Sequence, residues 1–245
     1  MQPVMHRRGV APLMTHYNPL SHIPKTSRLY RTKNRRDANP LVLRLRISPT
    51  TMSWQTELQS WMSPTSLQTA NAPDVGENAP SSSRLTLPAE DGKPVVVTFL
   101  RHCGCPFAEK TFLNMRSAAS QHKDTIHFVA VSHSDRASTD HWLASLPQSS
   151  EDGDVAVIVD DERDVYAQWG LGVSSFWHVL NPWSLLSVYR LGRQGIYNRP
   201  TESGTRWQTS GSFAVDGNGK VTWSKPSASA DELPDFEDAL KSLTM

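Results

Sequence analysis

The sequence is poor in cysteine: only Cys103 and Cys105 occur among its 245 residues. Two cysteines separated by one residue cannot join distant segments, so the chain is not a disulfide-stapled scaffold. It also has no Asn-x-Ser/Thr acceptor for N-glycosylation. These absences predict a protein of a reducing, intracellular compartment, the cytoplasm.

Long apolar runs are also missing. Crossing a bilayer as a helix takes about 20 apolar residues. The nearest candidate, 171–191, is interrupted by His178, by Asn181-Pro182 and by Arg190. We therefore predict no membrane span and interpret this segment as a buried helical insertion.

Acidic residues are almost absent from residues 1–51, which hold ten Lys and Arg against the single acid Asp37, a net +9. The rest of the chain holds 15 basic and 23 acidic residues, a net −8. An acidic body disfavours nucleic-acid binding, so we predict no nucleic-acid partner. We predict a basic, disordered tail over 1–51 and one domain over 52–245. The alternatives for the tail are a mitochondrial transit peptide, or a natural start at Met52.

From residue 94 onward, short apolar runs alternate with helical patterns. Such alternation indicates βαβ units and a largely parallel sheet. A possible edge strand at 83–87 comes first. The insertion at 174–195 precedes a hairpin over 212–223 with an Asp-Gly-Asn-Gly turn and a C-terminal helix from Ser229. The three predicted strands are Val95–Leu100, Ile126–Val131 and Asp154–Val159.

The turn Cys103-Gly104-Cys105-Pro106 lies between the first strand and its helix. Proline is favoured in the first helical turn, so Cys105 is predicted to be the helix N-cap. Unpaired amide groups and the helix dipole there favour the thiolate, and Arg101 with His102 would add positive charge. Nucleophilic chemistry further requires that solvent reach the Cys105 sulfur.

A thiolate at Cys105 would attack a peroxide or disulfide and yield a sulfenic acid or mixed disulfide, which Cys103 or an external thiol would resolve. The competing interpretation is that both cysteines are small buried residues in a tight turn. Cys-x-Cys with nearby histidines (His102, His127 and His133) lacks the four-ligand spacing of structural zinc, so we predict no metal. No bound cofactor is needed, because sulfur carries the electrons.

Three further sets of residues each allow two interpretations. His133 ends a strand and either faces the active-site edge or caps the next helix. Arg199 and Arg206 either approach Cys105 as a second donor or pair with acids such as Glu202. An aromatic cluster either packs the insertion or lines a pocket for a lipid peroxide; its members are Phe176, Trp177, Trp183, Tyr189, Tyr197 and Trp207.

The element order resembles the thioredoxin-like fold, and Arg101–Phe107 after a Val-rich strand resembles the AhpC/TSA (peroxiredoxin-like) family, in its peroxiredoxin-like 2 branch. The resemblance covers residues 52–243. It implies an α/β fold with a central mixed sheet flanked by helices and a helical insertion before the last β-hairpin. Fungal members carry segments similar to Trp169–Gly172, Ser175–Trp177, Asn198–Gln208 and Gly211–Asp216.

The same resemblance assigns the site. Cys105 matches the first, attacking cysteine of the branch's Cys-Pro-Phe-Cys motif, while Ala108 replaces the second. Cys103 lies upstream instead, and a Cys-x-Cys bridge would close a small, strained and easily reduced ring. Thr98 lies too far from Cys105 to match the threonine of typical peroxiredoxins.

The sequence therefore predicts an antioxidant, thiol-dependent oxidoreductase with Cys105 attacking, Cys103 resolving and Arg101 assisting. Its partners would be a thioredoxin- or glutathione-type thiol reductant and a small peroxide or organic substrate. The alternatives are a non-catalytic accessory protein of the same fold, or a pathway enzyme acting on an organic substrate such as a lipid or secondary metabolite.

Overall fold

The computed structural model describes residues 66–148, 153–174, 182–200 and 203–244. The predictions for the tail 1–51, for a start at Met52 and for the insertion over 175–181 lie outside the described residues. The elements, in chain order, are β1 (Val95–Phe99), α1 (Pro106–His122), β2 (His127–Ser132), α2 (Arg136–Ser145), β3 (Ala156–Val159), α3 (Asp164–Gln168), α4 (Pro182–Gly192), β4 (Gly211–Val215), β5 (Val221–Pro226) and α5 (Phe236–Ser242).

The strands form one mixed sheet in the order β3-β2-β1-β4-β5. β1, β2 and β3 run parallel, because helices connect them on the way back, whereas β4 is antiparallel to both β1 and β5. A central mixed sheet with flanking helices is the thioredoxin-like arrangement, and that prediction is confirmed. The carboxyl ends of β1 and β2 share one edge of the sheet.

β1 is buried along its whole length and divides the core in two. Alternate strand residues point to opposite faces. Val96 and Leu100 pack in a cluster with residues of α1 and α2, including Phe112 and Trp142. Val95, Val97 and Phe99 pack on the other face in a cluster with Tyr166 and Trp169. The segment that leaves β1 therefore starts inside the molecule.

Two predicted elements differ from the structure. The C-terminal helix begins at Phe236, not near Ser229, because Pro234 has no amide to donate and the Asp235 carboxylate caps α5. The edge strand at 83–87 is wrong: the hydroxyls of Ser81 and Ser82 accept the amides of Leu87 and Leu85, which a neighbouring strand would otherwise bond.

Across the described ranges, no helix combines the length and the apolar character needed to cross a bilayer.

Candidate active site at the thiol turn

The thiol turn, residues 102–105, carries both cysteines at the carboxyl edge of the sheet. Gly104 between them has a φ of +101°, a left-handed value that favours glycine. The Cys105 amide donates to the His102 carbonyl oxygen over 3.1 Å. Cys105 is the N-cap of α1, with Pro106 following it, as predicted.

The surroundings of the Cys105 sulfur are not those predicted. No amide of the first turn of α1 donates to the Cys105 side chain. The residue is only 6% exposed and packs within the apolar cluster of β1, α1 and α2. The predicted solvent access is therefore wrong for this conformation: Cys105 lies at the helix start, but its side chain is buried and accepts no amide of that turn.

Cys103 contacts three side-chain hydroxyl groups. Its sulfur is 3.6 Å from Ser132 Oγ and 3.8 Å from Thr139 Oγ1, and its amide donates to Ser134 Oγ over 3.1 Å. Burial raises the pKa of the Cys103 thiol, although the three hydroxyl groups oppose that rise. At neutral pH the arrangement therefore favours a protonated thiol that stays in contact with these hydroxyl oxygens.

A cavity of about 160 Å³ opens beside Cys103, not beside Cys105. Such a volume accommodates a few water molecules or a compact organic molecule. The indole nitrogen of Trp142, which borders the cavity, is buried without a hydrogen-bond partner. The wall is completed by Cys103, Gly104, Ser138, His141, Ser145, Arg199 and Pro200.

Arg199 and Pro200 form a strap across the thiol turn. The Arg199 amide donates to the Gly104 carbonyl oxygen over 2.9 Å. The Arg199 guanidinium lies 3.2 Å from the Glu109 carboxylate and also donates to the Ser145 hydroxyl. Burial raises the pKa of Glu109, and the Arg199 charge opposes this. Arg199 therefore holds the turn closed from α1 and α2, rather than approaching Cys105 as a donor.

The side chains of Arg101 and His102 contact backbone carbonyl oxygens. Arg101 donates to the Arg206 carbonyl oxygen over 2.6 Å, and His102 Nδ1 lies 3.1 Å from the Cys103 carbonyl oxygen. Among the described residues, the Nε and Nη1 of Arg101 have no hydrogen-bond acceptor. The catalytic assistance expected of Arg101 stays a prediction without a supporting contact.

His133 is buried behind the turn. Its Nε2 contacts the backbone of Thr205, and α2 is capped by Asp135 instead. Burial lowers the pKa of His133 to about 4 and that of His102 well below its usual value. Both imidazoles are therefore neutral at physiological pH.

Sequence comparison relates part of the chain to a known family. The family model described as AhpC/TSA antioxidant enzyme matches residues 114–229. Over this part, just under half of the chain, the protein is similar to the AhpC/TSA family. The matched part runs from within α1 through β5, and so includes four of the five strands of the sheet. No curated protein matches the chain significantly in sequence.

Solved AhpC/TSA-type and related structures are similar to this chain. A cysteine-to-serine variant of peroxiredoxin 6 from Arenicola marina shares 14% identity at a TM-score of 0.49, over 71% of this chain and 73% of that one. A peroxiredoxin-like protein from Aquifex aeolicus shares 13% identity at a TM-score of 0.47, over 74% and 98%. Mycobacterium tuberculosis AhpC shares 14% identity at a TM-score of 0.42, over 71% and 92%.

The AhpC/TSA match starts after the thiol turn, since Cys103 and Cys105 precede residue 114. The family match therefore says nothing of the two cysteines, and the chemistry of this chain has to be argued from its own side chains. Among described residues, no three His, Cys, Asp or Glu side chains converge as a metal-binding group.

Several residues at the site are not predicted by the sequence. Ser132 and Thr139 reach Cys103, and Trp142 borders the cavity. The only available signal is that ligands in parallel sheets bind beyond the carboxyl ends of strands, where Ser132 ends β2. The aromatic cluster is not one unit: Trp207 is buried, while Tyr189 and Tyr197 are exposed. Phe176, Trp177 and the Trp183 side chain lie outside the described residues.

Proposed function

We propose that the protein is a thiol-dependent oxidoreductase that reduces a peroxide or a disulfide through Cys103 and Cys105. The proposal rests on the position of the two cysteines. The only two cysteines of the chain flank one glycine at the start of α1, and one of them borders a cavity. Helix starts favour thiolates, and parallel-sheet edges are where ligands bind.

The proposed reaction needs only the two cysteines, the peroxide and one external thiol reductant. A thiolate sulfur attacks one peroxide oxygen, the O–O bond breaks, and the other oxygen leaves as an alcohol or water after taking a proton. The resulting sulfenic acid is attacked by the second thiol, so that water leaves and a disulfide forms. A thioredoxin- or glutathione-type thiol then reduces the disulfide. No bound cofactor takes part in this scheme.

We assign the attack to Cys105 and the resolution to Cys103, with Arg101 as an assisting charge. The N-cap position of Cys105 supports the first role, and the raised pKa of Cys103 suits a thiol that stays protonated until needed. Because Cys105 is buried, this assignment requires that the strap over Gly104 open during the reaction.

The cavity favours the reverse assignment, in which Cys103 attacks. The deciding experiment is to trap the sulfenic acid with a dimedone-type reagent after a brief peroxide pulse, in Cys103→Ser and in Cys105→Ser. If Cys105 attacks, only Cys103→Ser accumulates the adduct. An adduct confined to Cys105→Ser reverses the roles, and no adduct in either variant removes the peroxidase proposal.

A rescue variant isolates the resolving step. Cys103→Ser should turn over slowly with a dithiol reductant, because no second thiol is in place. Cys103→Ser combined with Ala108→Cys restores the Cys-Pro-x-Cys spacing and should recover turnover. Ala108→Cys alone, on the same helix face, is the matched control for packing changes at a buried position.

A non-catalytic role is favoured by one observation: both thiols are buried, at 4% and 6% exposure. It predicts that iodoacetamide alkylates neither cysteine in the folded protein below pH 8, whereas the catalytic proposal requires that one thiol react.

The cavity beside Cys103 also supports a second candidate, an enzyme that acts on a compact organic substrate in a metabolic pathway. For location we propose the cytoplasm, with the mitochondrion as the alternative if residues 1–51 are a transit peptide.

A further inference from the structure

Two hydroxyl groups from different elements converge on the Cys103 sulfur. Ser132 is the last residue of β2, Thr139 lies in the first turn of α2, and both residues are fully buried. The Cys103 sulfur is 3.6 Å from Ser132 Oγ and 3.8 Å from Thr139 Oγ1, and the two oxygens are 3.0 Å apart. The three atoms therefore form a triangle in which each contacts both others.

The backbone of Ser134 fixes both hydroxyl groups. Its amide donates to Ser132 Oγ over 3.3 Å, and its carbonyl oxygen accepts the Thr139 hydroxyl over 3.2 Å. A hydroxyl group has one hydrogen to donate and two lone pairs with which to accept. Because the Thr139 hydrogen is directed at the Ser134 carbonyl, Thr139 Oγ1 can accept the S–H of Cys103.

The Ser132 hydroxyl is the donor that can respond to the charge of the sulfur. Its oxygen accepts the Ser134 amide, so its hydrogen can be donated either to Thr139 Oγ1 or to Cys103. Once Cys103 has lost its proton, rotation of this hydroxyl about one bond directs the hydrogen at the thiolate. Hydrogen bonds to a charged acceptor are about twice as strong as neutral ones, so the thiolate is the preferred partner.

We propose that Ser132 and Thr139 are positioning residues of the thiol site, which hold the Cys103 sulfur beside the cavity and donate to its thiolate. As a role in catalysis this rests on the proposed function, since Cys103 must lose its proton whether it attacks or resolves. In the resolving step the Cys103 thiolate attacks the Cys105 sulfenic acid. The S–S bond forms, the S–O bond breaks, and the hydroxide leaves as water with the proton that Cys103 gave up.

The effect of the two hydroxyl groups can be separated from that of the charges around Cys103. Burial raises the pKa of the Cys103 thiol, and the hydroxyls of Ser134, Ser132 and Thr139 each oppose that rise. Removing one hydroxyl should therefore raise the pKa further, while every titratable or charged group nearby is kept. These groups are His102 and Cys105 in the turn, Asp135 and His141 at α2, Tyr166 on α3 and Arg199 on the strap.

The test is the titration of Cys103 as the single cysteine of the full chain. In Cys105→Ser labelled with carbon-13 at the cysteine Cβ, one NMR resonance follows the ionisation of Cys103. In this parent, Ser132→Ala and Thr139→Val should each raise the pKa of Cys103, so that the thiolate population below the parent pKa falls about tenfold. Should one of them fail to fold, the other decides.

Two control variants make the titration specific. Thr139→Ser keeps the hydroxyl, and Ser138→Ala removes a different hydroxyl from the wall of the same cavity, so both should titrate like the parent. The proposal is overturned if Ser132→Ala and Thr139→Val titrate like these controls. It is also overturned if Cys103 does not ionise in the parent before alkali unfolds the protein.

The rate of disulfide formation relates the titration to catalysis. With both cysteines present and peroxide saturating, Ser132→Ala and Thr139→Val should form the disulfide about threefold more slowly than Ser138→Ala at neutral pH. The loss is smaller than tenfold because a more basic thiolate is also a better nucleophile. An unchanged rate beside a shifted titration overturns the role in the reaction. If even the unmodified protein forms no disulfide, the proposed function fails, and the titration still decides whether the two hydroxyl groups hold the thiolate.

Discussion

Tyr166 connects the ends of the two strands that carry the site. Its ring is fully buried, and its Oη lies 2.7 Å from both the Leu100 and the Val131 carbonyl oxygens. The single hydroxyl proton is shared between two backbone acceptors at the place where β1 and β2 end. Burial raises the pKa of Tyr166 well above its usual value, so the donor is always present.

Removing this hydroxyl should destabilise the fold without altering its shape. Tyr166→Phe removes the hydroxyl donor from two buried carbonyl groups, of which that of Val131 keeps the Leu100 amide, and this loss costs about 1–3 kcal/mol of the free energy of unfolding. Urea denaturation followed by tryptophan fluorescence measures the change. Tyr189→Phe, at a position 66% exposed, is the control and should change nothing measurable. Equal midpoints for the two variants would contradict the role assigned to the Tyr166 hydroxyl.

The residues of the site were predictable only where local sequence decides their position. Cys105 is at the helix start because Pro106 determines where α1 begins, and adjacent residues suffice to predict that. Whether its side chain is buried depends on a packed cluster whose other members, such as Trp142, are remote in sequence. The hydroxyl groups beside Cys103 are 29 and 36 residues away. No local pattern links them.

At the scale of elements, the strap and the thiol turn act as one unit. A Cβ added at Gly104 would lie 2.9 Å from the Pro200 carbonyl oxygen and 3.0 Å from that of Arg199. Both contacts are to backbone, which cannot rotate away. Gly104 therefore meets two requirements, a positive φ and a close backbone approach.

These two requirements can be separated by comparing glycines. Gly76 has a φ of +94° but nothing within 4 Å of an added Cβ. Gly76→Ala should cost about 1 kcal/mol, from the positive φ alone. Gly104→Ala should cost about 1–3 kcal/mol more, because the strap must move. It should also speed alkylation of Cys103, which is measured with iodoacetamide. Equal losses of stability in both variants would show that the strap yields freely.

Elements were predicted well where one pattern acts alone. β1 and β2 each follow a short apolar run, and their observed bounds agree with the predicted ones within one residue. α1 begins at Pro106, as predicted. α5 begins later than predicted because Pro234 interrupts an otherwise helical stretch. At 83–87, serine hydroxyls compete with strand pairing for the backbone amides. Neither the proline nor the serine hydroxyls change the spacing of the apolar residues. A prediction made from that spacing alone therefore placed the helix start and the edge strand wrongly.

For the whole molecule, sheet order follows from connections. Helical crossovers make β1, β2 and β3 parallel neighbours, and the tight turn at Asp216–Lys220 makes β4 and β5 a hairpin. Pairing of β4 beside β1 is long-range and was predictable only through the family resemblance. The burial of arginines was not predictable from the sequence. Arg101 and Arg206 are both buried, although the chain after residue 51 carries an excess of acidic residues.

The buried imidazoles make stability depend on pH. His133 has a pKa of about 4 in the folded protein and about 6.5 when unfolded. Between these values the unfolded chain binds more protons, so the free energy of unfolding falls as pH falls from 6.5 to 4. The loss from His133 is about 3 kcal/mol at pH 4, and it stops growing below that pH because the folded form is then protonated too. His102 contributes in the same direction, since burial and the Arg206 and Arg101 charges lower its pKa as well.

A variant that cannot titrate separates His133 from the carboxylates that also respond to acid. His133→Gln keeps polar atoms that can contact the Thr205 backbone, and it should be less stable than the unmodified protein at pH 7. Its urea midpoint should fall less steeply between pH 6.5 and 4, so that the two stability curves converge toward acid. Parallel curves for His133→Gln would mean that His133 binds protons alike in the folded and unfolded chain, and would contradict its description as a buried, neutral imidazole.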